Sequence, residues 1–299
     1  VSPLGSPVRV SSQNFKNTFL LGTGAELGDS LVLESHLTMP RPENMRFYWR
    51  SQIFDRFVDN QWNTTLAARK QLNDPQEFIP LPAWHGRQKY EIAVTLHLPV
   101  TSVVYAPALP YAVSLPIEVI YWPAEENIWD VAGVNFIEPI LAGETYHVAS
   151  YISAPSKNQL RASPIVYPEW VTDNYLQLPD EFSQKVISLA QEITRGETTN
   201  YDRAIAITQY LRDQIEYQEL IPPPPDGLDP IEWFLFEHKS GFCNYYATAE
   251  ILMLRSIGIP ARLAVGYAQG EWLPDRNSYL VYQRDGHAWP EVYFPDIGW

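Results

Sequence analysis

The chain of 299 residues carries 35 acidic and 21 basic side chains, a net charge of −14 at pH 7. Such a surface repels phosphate, so the charge argues against a nucleic-acid partner and against adhesion to an anionic membrane through a basic patch. Hydrophobic residues make up 45% of the chain, which excludes a disordered polypeptide. The 26 prolines indicate many loops and strand edges.

The sequence shows no signal peptide and no apolar span long enough to cross a bilayer. The closest stretch, residues 102–122, is interrupted by three prolines and Glu118, which favours short strands and turns. We therefore expect a soluble polypeptide without membrane contact of its own, which can be an excised part of a longer protein. Nothing in the sequence indicates an oligomeric state.

A length of 299 residues favours two domains. Residues 1–165 contain short alternating runs, such as residues 31–37 and 90–98, separated by Pro, Gly and Asn. This pattern predicts an antiparallel β-sandwich or barrel without helices. The composition becomes rich in Ser and Pro near residues 154–168, and we place the start of a second, α+β domain at residue 166, so that it spans residues 166–299.

Negative charge is concentrated in this second segment. Residues 1–165 carry 12 basic and 15 acidic side chains, whereas residues 166–299 carry 9 and 20. The excess fits a cationic or amine-bearing partner, and it equally fits a surface that only maintains solubility.

Two amphipathic helices open the second domain. Asp180 can cap a helix that runs to about Arg195, and a second helix begins at Thr199 or Asn200 and runs to Ile215. The proline run at residues 221–225 cannot lie inside a helix. It is either a surface spacer or one wall of a substrate cleft.

Cys243 is the only cysteine, so it can form neither an internal disulfide nor a multi-cysteine zinc site. An apolar stripe predicts a buried helix that begins just after Gly241 and ends at Gly258. Cys243 then lies in the first turn, where free N–H groups and the helix dipole favour a thiolate. The alternative is a buried cysteine that acts as a small hydrophobic residue.

Strands are predicted at residues 261–267 and 279–283, and a hairpin turn at Asp285 and Gly286. His287 then begins the returning strand, and strand alternation puts Trp289 on the same face. If this face meets the start of the Cys243 helix, His287 is the general base and Trp289 shields it. Otherwise His287 is a surface residue. His238 is a second candidate base, but its position five residues before Cys243 favours a structural role in the preceding loop.

Several motifs in this order resemble the transglutaminase-like superfamily, and in particular its bacterial, membrane-anchored, extracytoplasmic branch. They are GFCNYYA at 241–247, SIGIPAR at 256–262 and GHAWPEVY at 286–293. The resemblance covers roughly residues 178–299, and residues 47–62 look like the aromatic strand motif of the preceding β-domain, to which we assign no site. The resemblance to this superfamily implies an antiparallel β-sandwich followed by a papain-like α+β core. It also implies a location on the extracytoplasmic side of a membrane, with tethering by segments outside this chain.

The resemblance also implies a catalytic triad without metal or cofactor. Cys243 would be the nucleophile, His287 the base, and a carboxylate would orient the imidazole. The family usually places this Asp just after a Gly-Trp pair, here residues 298–299, so we expect the acid a few residues beyond Trp299; Asp296 is the nearest carboxylate within the chain. Trp289, Asn244 and Tyr245 are the candidate residues of the substrate cleft.

The predicted reaction is thiol-dependent acyl transfer on protein or peptide amides. The thiolate attacks the carbonyl, the N–H of Cys243 helps to bind the oxyanion, and the thioester passes to water or to an amine-bearing acceptor. A non-catalytic protein- or peptide-binding module on the same fold is the rival prediction. A purely structural extracellular domain, with Cys243 buried and inert, is the third.

Overall fold

The N-terminal half of the protein is built from strands. The computed structural model describes residues 18–24, 27–41, 46–65 and 67–299. Before residue 154 these residues form strands and turns, as the alternating sequence predicts, but a helix at Lys157–Ala162 lies inside the segment predicted to contain none. The strands are β1 (Thr18–Leu20), β2 (Leu31–Leu37), β3 (Trp49–Phe54), β4 (Arg56–Val58), β5 (Gln61–Asn63), β6 (Ala68–Leu72), β7 (Arg87–Leu96), β8 (Val100–Val103), β9 (Ala106–Pro107), β10 (Leu109–Val113), β11 (Ile117–Glu125), β12 (Ile128–Leu141) and β13 (Thr145–Ser153).

The second half mixes helices with further strands. The helices are α1 (Lys157–Ala162), α2 (Glu169–Tyr175), α3 (Gln184–Thr194), α4 (Asn200–Gln214), α5 (Pro230–Glu232), a π-helical turn at Trp233–His238, and α6 (Cys243–Ser256). The strands are β14 (Glu216–Tyr217), β15 (Ser240–Gly241), β16 (Ala261–Tyr267), β17 (Glu271–Leu273), β18 (Ser278–Tyr282) and β19 (Gly286–Val292), and 3₁₀ turns form at Pro274–Arg276 and Gln283–Asp285. None of the helices in the described ranges is long and apolar enough to span a bilayer.

Two antiparallel sheets face each other. One has the strand order β10-β13-β7-β2-β18-β17, and the other β19-β16-β3-β12-β11-β6, with β8 and β9 on its flank. Val32 and Ile92 of the first sheet share one core with Val119 and Val134 of the second. The predicted α+β fold class, with antiparallel sheets and a mixed core, is confirmed.

Both sheets contain strands from before and after the predicted boundary at residue 165. Strand β16 pairs with β3, and β18 pairs with β2, so late strands extend sheets built by the first half. Each half also contributes to the core of the other: Tyr279 packs in the sandwich, while Trp62 packs around α6. The boundary describes a change of composition along the chain, whereas the strand pairing joins the two segments.

Two local predictions need correction. Helix α3 begins at Gln184 rather than near Asp180, because Ser183 Oγ accepts the N–H of Val186 (3.3 Å) and caps the helix there. Strands β18 and β19 form no hairpin, because the 3₁₀ turn at Gln283–Asp285 carries the chain from one sheet to the other. The predicted start of α4 is confirmed, with Thr199 as its cap.

Helix α6 is the centre of the second core, as the sequence predicts. It packs against β16, β19, α3 and α4. Arg255, near its end, is buried and donates to three main-chain carbonyls, those of Asp55 (2.7 Å), Ala261 (2.8 Å) and Gln177 (2.9 Å). Because each carbonyl belongs to a different segment, Arg255 ties α6 to both halves of the chain.

The approach of β3 to β16 requires a glycine. In the strand register Gly266 lies opposite both Arg50 of β3 and His287 of β19. A Cβ atom at residue 266 would lie 2.1 Å from the carbonyl oxygen of Trp49, a distance that only the absence of a side chain avoids. Gly266 therefore lets the N-terminal segment reach the strand pair that carries His287.

Candidate active site

Cys243 is the first residue of α6. The preceding residue, Phe242, is extended and provides no side-chain cap, so the first-turn N–H groups stay available to the thiol. The N–H groups of Asn244 and Ala288 and the hydroxyl of Tyr217 all lie within hydrogen-bonding reach of Cys243 Sγ. Each of these donors favours the ionised sulfur.

Burial nevertheless has the larger effect on this thiol. It raises the pKa of Cys243 above its ordinary value, and the surrounding hydrogen bonds only partly oppose the shift. The helix terminus favours a thiolate, as the sequence predicts, whereas burial favours the protonated thiol and has the larger effect on the pKa of Cys243. In this form the thiol donates to Asn244 Oδ1 (3.5 Å).

His287 lies near the start of β19, among aromatic rings. Its imidazole stacks on Tyr48 (ring centroids 6.0 Å apart) and on Trp289 (6.2 Å). Burial lowers the pKa of His287, which favours the neutral ring that can accept a proton. Within the part of the chain that the structure describes, no carboxylate hydrogen-bonds to this ring.

A cavity of about 490 Å³ joins these groups. Cys243, His287 and Trp289 all line it, so the structure brings together the predicted nucleophile, the predicted base and the predicted shield. Tyr48 closes the side next to His287 and Trp289, and Glu250 lies further along α6. The cavity is large enough for an amide-bearing side chain together with an acceptor.

Asn244 and Tyr245 do not line this cavity, although Asn244 lines a smaller one that it shares with Cys243 and Tyr217. The amide of Asn244 donates to the carbonyls of Leu20 (3.3 Å) and Leu21 (3.2 Å), so it anchors the N-terminal segment beside the thiol. Tyr245 is buried, and it lines a separate cavity of about 420 Å³ together with Pro223–Pro225. The proline run therefore walls a cavity, but one that does not contain Cys243.

Asp296 is not brought to His287. It occupies an exposed turn beyond β19, with its carbonyl bound to the N–H of His85 (2.8 Å). His287 lies at the opposite end of the strand, and Val292 alone is about 16 Å from it at the usual rise per residue. The other candidate histidine, His238, stacks on Trp233 (4.3 Å) outside the cavity.

Three side chains of the site are not identified by the sequence analysis. Glu250 had a usable signal, because it follows Cys243 by seven residues on a predicted helix and so shares its face. Tyr217, in a two-residue strand, and Tyr48, just before β3, had none, since their place at the thiol and the imidazole depends on long-range pairing.

A thiol at a helix start and an imidazole that line one cavity are the groups that a papain-like thiol site uses. Such a pair can form a thioester once the imidazole takes the thiol proton. The fold supports thiol-dependent acyl transfer in general.

Comparisons with known proteins agree with this class. Residues 187–299 match the Transglutaminase-like superfamily, which confirms the resemblance predicted from the motifs. Over 292 residues the chain is 28% identical to the Protein-glutamine gamma-glutamyltransferase of Pseudomonas aeruginosa, a match that covers 93% of this chain and 38% of that protein. Over 134 residues it is 37% identical to Uncharacterized protein YebA of Bacillus subtilis, covering 43% of this chain and 18% of that protein. The chain thus spans well under half the length of both curated relatives.

Solved structures show the same fold. The periplasmic domain of TgpA from Pseudomonas aeruginosa superposes with a TM-score of 0.69 at 24% identity, and the match covers 96% of this chain and 92% of that one. The same domain bound to ethylmercury gives a TM-score of 0.68. The architecture of the whole described chain, sandwich and core together, therefore has a precedent.

The raised pKa of Cys243 gives a prediction for thiol reactivity. Because the thiolate forms only at higher pH, the rate of alkylation by iodoacetamide should reach its midpoint above the ~8.5 of a free thiol. Removal of the Tyr217 hydroxyl by Tyr217→Phe should move the midpoint further up. Cys243 is the only cysteine, so mass spectrometry of the whole protein follows it directly. A midpoint below that of glutathione in the same assay would show a stabilised thiolate instead.

Proposed function

We propose that this protein transfers the acyl group of a glutamine-type side-chain amide, in a protein or peptide, through a thioester on Cys243. The observation that carries the proposal is the placement of Cys243 Sγ, at the start of α6 and within one cavity with His287. The name of the Pseudomonas aeruginosa relative, a glutamine γ-glutamyltransferase, supports this choice among thiol reactions.

The first half of the reaction forms the thioester. His287 accepts the proton of Cys243, and the sulfur attacks the amide carbonyl carbon while the C=O electrons move to oxygen. The N–H of Cys243 binds the oxyanion, and the Tyr217 hydroxyl lies close enough to this N–H to interact with it in the resting structure. When the carbonyl reforms, the C–N bond breaks and ammonia leaves with the proton from His287.

The second half releases the acyl group. A primary amine attacks the thioester, its proton passes to His287, and the C–S bond breaks to give an amide and the thiol. Water in place of the amine gives a carboxylate, and the same two residues serve both outcomes. The acceptor decides between cross-linking and hydrolysis, and the acidic second half of the chain favours a cationic amine.

The rival function is a binding module on the same fold. The observation that favours it is the His287 ring, which no carboxylate of the described residues orients. The predicted acid beyond Trp299 remains a prediction.

One assay separates these functions. The protein is incubated with a glutamine-containing peptide and a fluorescent primary amine, and both ammonia release and amine incorporation are measured. We expect both signals, loss of both in Cys243→Ala, and a decrease on the order of 10²–10⁴ in His287→Ala. The exposed His97 gives a matched control, since His97→Ala should retain full activity.

Two results would change the assignment. Ammonia release without incorporation makes the protein an amidase. No ammonia from the wild-type protein, together with peptide binding that survives in Cys243→Ala, supports the binding module.

We also propose an extracytoplasmic location, in which segments outside this chain tether the protein to a membrane. The support is the fold likeness to a domain described as periplasmic. Protease added to spheroplasts of the source cells should digest this region while a cytoplasmic marker survives. Protection of the region until the membrane is broken would contradict the proposal.

A further inference from the structure

Glu250 is a half-buried carboxyl group that lines the candidate catalytic cavity. Helix α6 places it on the same face as Cys243 and Tyr246. Its Oε1 accepts the hydroxyl of Thr208 (2.6 Å). Among the residues that the structure describes, no cation lies within ion-pair distance of it. A hydroxyl group, and no ion pair, thus holds the carboxyl group in place.

The other groups around this carboxyl are mostly neutral. Arg212 of α4 lies on the exposed rim, and its charge only partly offsets the effect of burial, which raises the pKa of Glu250 to about 7. The titratable groups facing the cavity from β19, β14 and α6 are His287, Tyr217, Cys243 and Tyr246, none of which is a permanent cation. Glu250 is the one acid among the described lining residues, so a bound cation would relieve its desolvation.

Aromatic rings complete an environment suited to an ammonium group. Tyr48, Tyr246 and Trp289 line the same cavity, and their faces attract cations. The Tyr246 ring is fixed because its hydroxyl donates to the carbonyl of Ile215 (2.6 Å). A carboxylate beside several aromatic faces is the usual way in which proteins recognise an organic cation.

Helix geometry separates this carboxylate from the reacting atoms. Seven residues along α6 correspond to about 10 Å between Cys243 and Glu250, less the length by which the Glu250 side chain leans back toward the helix start. The amine that attacks the thioester must lie at Cys243, so it cannot be the group that Glu250 binds. The partner of Glu250 is a second charge on the same acceptor.

We infer that Glu250 binds the distal ammonium of a diamine acceptor, while the other amine of the same molecule attacks the thioester on Cys243. A short aliphatic diamine such as cadaverine has this form. The inference rests on the proposed acyl transfer for its catalytic meaning. The cation site itself can be tested without turnover.

The first test uses the reactivity of Cys243 alone. The labelling rates of Cys243 are compared for two methanethiosulfonate reagents of similar size. One carries a cationic aminoethyl group and the other an anionic sulfonatoethyl group. The pH is about 8.5, where the Glu250 carboxyl is ionised. We expect the ratio of cationic to anionic labelling rates to decrease about tenfold in Glu250→Gln. Glu237→Gln, which removes an exposed carboxylate outside the cavity, should keep the wild-type ratio. Equal ratios in Glu250→Gln and wild type would overturn the inference.

The second test needs no variant and so does not depend on how Glu250→Gln folds. Cadaverine and n-pentylamine have the same carbon chain, but only cadaverine has the second amine. Cadaverine should protect Cys243 of the wild-type protein from a neutral alkylating reagent at lower concentration than n-pentylamine does. Equal protection would contradict the inference.

The third test links the cation site to turnover. With the glutamine peptide as donor, wild-type protein should use cadaverine with a higher kcat/KM than n-pentylamine, and Glu250→Gln should lose this preference. If the labelling ratio responds to Glu250 but neither amine is incorporated, the cation site stands and the proposed transfer fails. If amines are incorporated without preference and the labelling ratio is unchanged, the transfer stands and the role of Glu250 is refuted.

Discussion

The site depends on a buried ion pair network that holds β19 in place. Glu291, four residues after His287 on this strand, binds Arg50 of β3 (3.2 Å) and Arg262 of β16 (2.8 Å), and Arg262 continues to Asp130 of β12 (2.7 Å). Burial alone raises the pKa of Glu291, but the two guanidinium groups outweigh it and hold the pKa below its ordinary value. Loss of one partner from such a network costs about 3–5 kcal/mol, because the remaining charge stays buried. The four strands are thereby held to one another across both halves of the chain.

Burial also affects the protonation of the candidate catalytic pair. Cys243 and His287 are both partly withdrawn from water, so the thiol keeps its proton and the imidazole stays neutral. Charge then develops only when substrate enters and the proton moves. Hydrogen-bond donors that are already in place, such as the Ala288 N–H near the sulfur, stabilise this charge more strongly in such an environment than in water. The proposed ammonium site at Glu250 depends on the same effect, because the attraction between a carboxylate and an entering cation is strongest where water is least available.

The sequence predicts the parts of this structure that depend on local pattern. Apolar periodicity, together with the residues that begin and end helices, predicts helix α6 and the cap at Thr199. It also predicts that Cys243 lies in the first turn of α6. The false hairpin at Asp285 shows the limit: the local turn signal is real, yet β18 and β19 belong to different sheets, because β18 pairs with the distant β2 and β19 pairs with β16. Tyr48 reaches His287 for the same reason, through the pairing of β3 with β16. The pKa of Cys243 could not be predicted either, since burial is a property of the whole fold.

The thioester proposed on Cys243 can be trapped directly. The protein is mixed with a glutamine-containing peptide, quenched in acid and weighed intact by mass spectrometry. We expect an adduct of the peptide mass less one ammonia, located at Cys243, discharged by added amine and absent in Cys243→Ala. Release of ammonia by the Cys243→Ala protein, or an adduct on any other residue, would contradict it.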